Sequence, residues 1–204
     1  MSELRPLLEE LECRLRAFGA PIVDAFGPGL PADEIRAVFD DEGLNAPDDG
    51  VGWWGWHDGA VLSDAPPILS GPGVYLRSEN TLIEDWHVLS LAEATRTHRW
   101  FRADYAEAGA ADLLPTGWFP ILVTGAKPTM WIDCSAGADA PAPLYVDEHL
   151  PEPAGPLFPS LAVFVGATIR AFDEGLIRPH PEDPRVPTFD APALTGDLRR
   201  LAFW

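Results

Sequence analysis

Three short apolar runs lie close together in the second half of the chain, and they constrain its fold more than any other feature. They read GWFPILV (117–123), TMWIDC (129–134) and PLYVDEH (143–149). The first two are separated by TGAKP, whose glycine and proline are typical of a turn, and the next connection, SAGADAPA, is looser. Runs of this length at this spacing predict an antiparallel β-meander.

Helical patterns stand on both sides of the meander. Apolar residues recur three and four positions apart, between residues that start and stop helices. In one segment Ser90 and Glu93 form a capping box, in which the hydroxyl and the carboxylate each bind an exposed backbone N–H. The predicted helices are residues 4–18, 31–42, 91–106 and 161–174.

Helices, a meander and a closing helix together predict a single α+β domain, an antiparallel sheet packed with helices. We place this domain at residues 31–178, after an N-terminal helix and linker (1–30) and before a proline-rich tail (179–204). Proline disfavours regular structure over most of the tail, whose last residues, LRRLAFW, either dock on the domain or stay mobile. Short strands are also predicted at Val74–Leu76 and in DWHVL (85–89).

The stretch GVGWWGWHDGA (50–60) places three tryptophans within four positions, ahead of a histidine, an aspartate and a glycine turn. Each tryptophan buries up to about 250 Å² when packed, so the cluster is either a core anchor or a recognition surface. Pro47 and the acids after it favour a helix, whereas tryptophan alternating with glycine also fits a strand. Periodicity alone leaves both open.

The charge balance points to a basic partner. The chain has 32 acidic and 14 basic residues, for a net charge of −18. Lysine and arginine are absent between Arg36 and Arg77 and again from Pro128 to Ile169, although both windows hold several acids. Such a field repels nucleic acid and anionic membranes and speeds association with basic proteins. With no long apolar run and no signal-peptide pattern, we expect a cytoplasmic protein.

Motifs for catalysis or metal binding are weak. No lysine follows the glycines of GPGVYLRSEN as a phosphate loop requires, and the five histidines are too scattered for a zinc site. His57 and Asp58 are adjacent, and neighbours on a helix do not face each other. Cys134 falls on the core face of its strand, and we expect both Cys13 and Cys134 to be buried. We therefore expect no enzyme, no cofactor and no metal.

The order of these motifs resembles that of the SUKH superfamily, named for fungal cell-wall assembly regulators and their bacterial relatives. The resemblance covers about residues 32–175 and departs from the family at Lys127-Pro128, where a Gly-Asp turn is common. Its first half comprises Ile35, Phe39, Gly43-Leu44, Pro47, the three tryptophans and Asp58-Gly59. Its second half comprises Trp118-Phe119-Pro120-Ile121, Ile132-Asp133, Pro143-Leu144-Tyr145 and Ser160-Leu161 with Phe164.

The resemblance implies that the tryptophans lie on the second helix of the domain and that Asp58-Gly59 is a helix end. Bacterial members are typically immunity proteins, which bind and neutralise a toxin of the same strain, often a nuclease. With three tryptophans in four positions, we expect at least one to face solvent or a cleft. A scaffold or regulator without a toxin partner is the alternative. The candidate partner contacts are Trp54, Trp56, Asp58, Asp64, Asp139, Asp147 and Glu148.

Overall fold

The computed structural model describes residues 3–60, 81–84, 86–124, 129–138, 140–147 and 155–202. The main sheet has five antiparallel strands in sequence order, so the predicted meander is confirmed. The strand predicted in DWHVL joins it, whereas the one at Val74–Leu76 lies outside the described residues. The strands are β1 (Thr81–Ile83), β2 (Trp86–Val88), β3 (Trp118–Val123), β4 (Thr129–Asp133) and β5 (Leu144–Asp147).

The predicted helices are confirmed to within a few residues. The Ser90 hydroxyl accepts the Glu93 backbone N–H at 3.2 Å, and the Glu93 carboxylate accepts the Ser90 backbone N–H at 3.0 Å, which completes the capping box. None of the described helices combines the length and apolarity needed to cross a membrane. The described α-helices are α1 (Leu4–Phe18), α2 (Ile22–Ala25), α3 (Ala32–Asp41), α4 (Asp48–Trp56), α5 (Leu91–Glu107) and α6 (Leu161–Asp173).

One face of the sheet and the helices α1, α3, α4 and α6 build the main core. The N-terminal helix α1 belongs to this core, because Leu4, Leu8, Leu11 and Leu15 are fully buried and α1 packs along α6. Each such leucine contributes about 1.5–3 kcal/mol of hydrophobic free energy. Cys13 is exposed, so its expected burial is wrong. It lies two positions from both Leu11 and Leu15, and residues two positions apart point to nearly opposite sides of a helix.

The tryptophan-rich stretch, for which the sequence left both a helix and a strand open, forms the helix α4. Pro47 and two acids start it, and a very close approach of the preceding chain holds it in place. A Cβ atom on Gly29 would lie 2.2 Å from the Gly55 carbonyl oxygen, so no larger residue fits there without displacing backbone. Next to this contact, the Leu30 backbone N–H donates to the Trp54 carbonyl at 2.9 Å.

The described part of the tail docks on the domain. Its strand β7 (Pro187–Phe189) pairs with β6 (Ile177–Pro179), which begins two residues before the tail, so the expectation of no regular structure ahead of the last residues is wrong. The two prolines are tolerated because they lie at strand ends of a two-stranded hairpin, Pro179 last in β6 and Pro187 first in β7. The Glu84 carboxylate accepts the Phe189 backbone N–H, and the residues that anchor the tail beyond it are Leu194, Leu198 and Leu201, all buried.

Candidate functional site

The three tryptophans of GVGWWGWHDGA are core residues. Trp53 and Trp54 are fully buried, and Trp56 is 4 % exposed. The Trp54 ring packs edge-on against Phe119, and its Nε1–H donates to the Leu89 carbonyl at 3.1 Å. The expectation that one tryptophan faces solvent or a cleft is therefore wrong.

The reason for this burial is the position of α4, which packs against both α1 and α3. A helix covered on more than one side buries apolar residues around most of its circumference. Trp56 shows the effect: its ring contacts Phe26, and its Nε1–H donates to Glu12 of α1 at 3.2 Å. Trp54 and Trp56 are thus parts of the core and not surface available to a partner.

His57 and Asp58 have separate partners. The His57 Nε2 atom lies 3.2 Å from a Glu12 carboxylate oxygen, and its Nδ1 atom lies 2.9 Å from the Gly27 carbonyl oxygen. Because both partners are acceptors, both hydrogen bonds form only when each ring nitrogen carries a proton. The ring also stacks on Phe26, with centroids 4.2 Å apart. His57 therefore joins α1, α4 and the segment between them.

Asp58 binds the start of α5. Its Oδ1 atom accepts the Leu91 backbone N–H at 2.7 Å, where the helix dipole favours a negative charge. Burial raises the pKa of Asp58 against the effect of this bond, and the Glu93 carboxylate adds to the rise. Asp58 thus links the end of α4 to α5 and is a structural residue as well as a candidate contact.

The other candidate acids are only partly placed. Asp64, Asp139 and Glu148 lie outside the described residues, and Asp147 is the last residue of β5, paired with Thr129. Asp133, the other acid of the meander, accepts both the backbone N–H (2.9 Å) and the hydroxyl of Ser135 through Oδ1.

Cys134 is held as a thiol. It is 2 % exposed, and burial, with a smaller contribution from Asp133, raises its pKa to about 12. A nucleophilic cysteine needs the opposite environment, one that favours the thiolate. Within the described residues, no group of histidine, cysteine and carboxylate side chains has the geometry to hold a metal ion.

A histidine–carboxylate pair that the sequence did not reveal lies between α3 and α5. His98 donates from Nδ1 to Glu42 at 2.9 Å, and Arg99 binds the other oxygen of the same carboxylate. Burial lowers the pKa of His98, although Glu42 opposes the shift. The second ring nitrogen is buried near Phe119 without a hydrogen-bond partner among the described residues. A nitrogen enclosed in this way cannot reach a substrate in solution, so the pair holds two helices together.

An aromatic cluster on the outer face of the sheet is the most distinctive surface feature. Pro120, Trp131 and Tyr145 stand opposite one another on β3, β4 and β5, facing away from the main core. Trp118 stacks on Tyr145 with ring centroids 4.6 Å apart. We call the following set the aromatic surface: Trp100, Phe101 and Tyr105 of α5 with Trp118, Trp131 and Tyr145 of the sheet.

The aromatic surface could not be identified from the sequence, although part of its signal is present there. Strand alternation already separates Trp131 and Asp133 from the core face of β4. Phe101 and Tyr105 are four residues apart, the spacing of neighbours on a helix. What the sequence could not supply was the strand register and the position of α5 over the sheet, which bring Phe101 within 5.1 Å of Trp131, centroid to centroid.

The exposed charge is unevenly distributed, because most arginines are occupied by nearby carboxylates. Eight of them lie within ion-pair distance of an acid: Arg5, Arg14, Arg16, Arg36, Arg99, Arg170, Arg178 and Arg185. Two groups of exposed acids have no such partner in the described part of the chain: Asp33, Glu34, Asp40 and Asp41 on α3, and Asp104, Glu107 and Asp112 beside the aromatic surface. These two acidic groups are the surfaces most attractive to a cation.

The chain matches no protein-family model, and no curated protein sequence is significantly similar to it.

Proposed function

We propose that the protein is a non-catalytic binding module of the SUKH immunity type, which binds and neutralises a basic, nuclease-type toxin. The observation that carries the proposal is the excess of exposed carboxylates without cation partners, within a net charge of −18. Nucleases hold phosphates in basic grooves, and an acidic protein is suited to occupy such a groove. Opposite charges also steer association, up to about 10⁸–10⁹ M⁻¹s⁻¹ at low salt.

The side chains most suited to catalysis are buried or hydrogen-bonded within the fold, which supports a binding function in preference to catalysis. The His57 ring and the Asp58 carboxylate are occupied by partners within the fold. The Cys134 thiol is buried, with a raised pKa. The His98 pair is closed from solvent. The residues best suited to acid–base or nucleophilic chemistry are thus used to join structural elements.

The stoichiometry of neutralisation tests the proposal. Any nuclease-type toxin domain encoded beside this gene is purified, and its residual activity is titrated with the protein. We expect inhibition to saturate near an equimolar ratio, because a binding module acts only while bound. We also expect the association rate to fall at least tenfold between about 0.05 and 0.5 M salt, because salt screens steering.

Three results contradict the proposal. Inactivation of toxin by far less than an equimolar amount indicates catalysis. An association rate that does not respond to salt removes the role of the acidic surface. Failure to inhibit any of the neighbouring toxins removes the immunity function itself.

A further inference from the structure

The aromatic surface is only partly covered by the fold. Trp118 and Trp131 are buried at its base, whereas Trp100 and Tyr145 keep part of their surface in contact with solvent. Beside it, Leu113 is 53 % exposed, one of two large apolar side chains so exposed among the described residues. Partly exposed aromatic residues are frequent anchors of protein interfaces, where tyrosine and tryptophan are enriched among the strongest contacts.

Carboxylates share the sheet face and the helix face of these rings. Asp133 is paired with Trp118 across the sheet and therefore lies on the same face. Burial raises the pKa of Tyr145, and the negative charge of Asp133 adds to the rise. Both Ser135 hydrogen bonds use the Oδ1 atom of Asp133, and Oδ2 accepts no hydrogen bond from the residues that the structure describes. On α5, Asp104 follows Trp100 by four residues, so the two share a helix face.

A flat ring with a carboxylate at its edge suits the arginine side chain. The guanidinium group is planar, stacks on aromatic faces and binds carboxylates through two parallel N–H donors. The lysine ammonium is a more strongly hydrated point charge and lacks this geometry. The aromatic surface therefore differs from the acidic face of α3, where Asp33, Glu34, Asp40 and Asp41 attract either cation without offering rings.

We propose that the aromatic surface is the docking site for an arginine-bearing segment of the basic partner. One guanidinium group stacks on Tyr145 and pairs with Asp133, and a second stacks on Trp100 and pairs with Asp104. The identity of the partner rests on the proposed function, whereas the preference for arginine is inferred from the side chains of the aromatic surface itself. The charge of the surface and that of the partner are complementary.

The first test uses hexa-arginine amide as the probe and amide and indole ¹H–¹⁵N spectra of the whole chain as the readout. We expect the largest shifts at Trp100, Phe101 and Tyr145, and weaker binding of hexa-lysine amide at the same salt concentration. Shifts centred on α3, or equal affinity for the two peptides, overturn the proposal.

Substitutions give the second test. Tyr145→Ala should weaken hexa-arginine binding by about 2- to 30-fold, the range for a cation on an aromatic face, while Tyr145→Phe keeps the ring and should bind nearly as well as the wild type. Two variants of α5, Trp100→Ala and Asp104→Asn, should also weaken hexa-arginine binding, and they replace Tyr145→Ala in the test if that variant does not fold. Unchanged affinity in these helix variants overturns the proposal.

A matched charge control distinguishes binding at the aromatic surface from attraction by the negative charge of the whole protein. Two triple variants each remove three negative charges. The first, beside the aromatic surface, is Asp104→Asn/Glu107→Gln/Asp112→Asn, and the second, on α3, is Asp33→Asn/Glu34→Gln/Asp40→Asn. We expect the first triple variant to weaken binding at least threefold more than the second. If the peptide binds as expected but no toxin is neutralised, the proposed function fails and the site stands. If a toxin is neutralised equally well by the aromatic-surface variants, the site assignment fails alone.

Discussion

Replacing Trp54 by phenylalanine tests whether the tryptophan cluster is a core or a contact surface. The indole Nε1–H is a buried donor to the Leu89 carbonyl at 3.1 Å, and phenylalanine has no donor. Leaving a buried carbonyl without this bond costs about 1–3 kcal/mol. The smaller ring forfeits roughly 1 kcal/mol more of buried apolar contact. We therefore expect Trp54→Phe to lower the free energy of unfolding by about 2–4 kcal/mol.

Urea unfolding followed by far-ultraviolet circular dichroism measures this loss as a lower midpoint at an unchanged slope. The matched control is Trp100→Phe, which makes the same substitution at a partly exposed ring of the aromatic surface and should cost less than about 1 kcal/mol. Under conditions where Trp54→Phe is folded, we expect it to bind the toxin as the wild type does. A stability loss below about 0.5 kcal/mol for Trp54→Phe, or lost binding by the folded variant, refutes the reasoning.

Three further outcomes follow from backbone geometry, burial and exposure. Gly59→Ala should lower the free energy of unfolding by more than about 2 kcal/mol, because φ is +69° and a Cβ would lie 2.4 Å from the backbone of the residue that caps α5. Gly137→Ala, at φ +86° with open space around the Cβ, should cost less in the same urea titration, and equal losses would contradict the clash. Burial lowers the pKa of His87 from 6.5 to about 4, so the unfolded chain binds this proton more readily than the folded one and stability falls as the pH drops through that window. His87→Asn should flatten this acid-side dependence of Tm on pH, and an unchanged slope counts against the assignment. Iodoacetamide should alkylate Cys13 in the folded protein and Cys134 only in urea, as peptide mass mapping will show; labelling of Cys134 in the native state would overturn its burial.

The elements that could be predicted from the sequence are those whose signals are local. The capping box fixes the start of α5 because Ser90 and Glu93 satisfy each other's backbone groups within a few residues. The turn chemistry between the apolar runs likewise predicts the β3–β4–β5 meander. Alternation along β4 correctly separates Cys134 on the core side from Trp131 on the outer face.

The features that could not be predicted depend on neighbours far along the chain. The burial of the tryptophans follows from α1 and α3 packing against α4, and nothing within GVGWWGWHDGA specifies those partners. The position of Asp58 depends in the same way on the start of α5, 33 residues later. The aromatic surface requires both the register of three strands and the placement of α5, so its members appear in the sequence as unrelated aromatic residues.

The association rate of a neutralised neighbouring toxin with three forms of the protein tests most directly the claim that the acidic and aromatic surface binds a basic toxin. The forms are the wild type, the triple variant at Asp104, Glu107 and Asp112, and the triple variant on α3. We expect the first triple variant to slow association and to weaken its salt dependence more than the second, although both remove the same charge. Equal rates for all three forms, or the larger effect from the α3 variant, would contradict the claim.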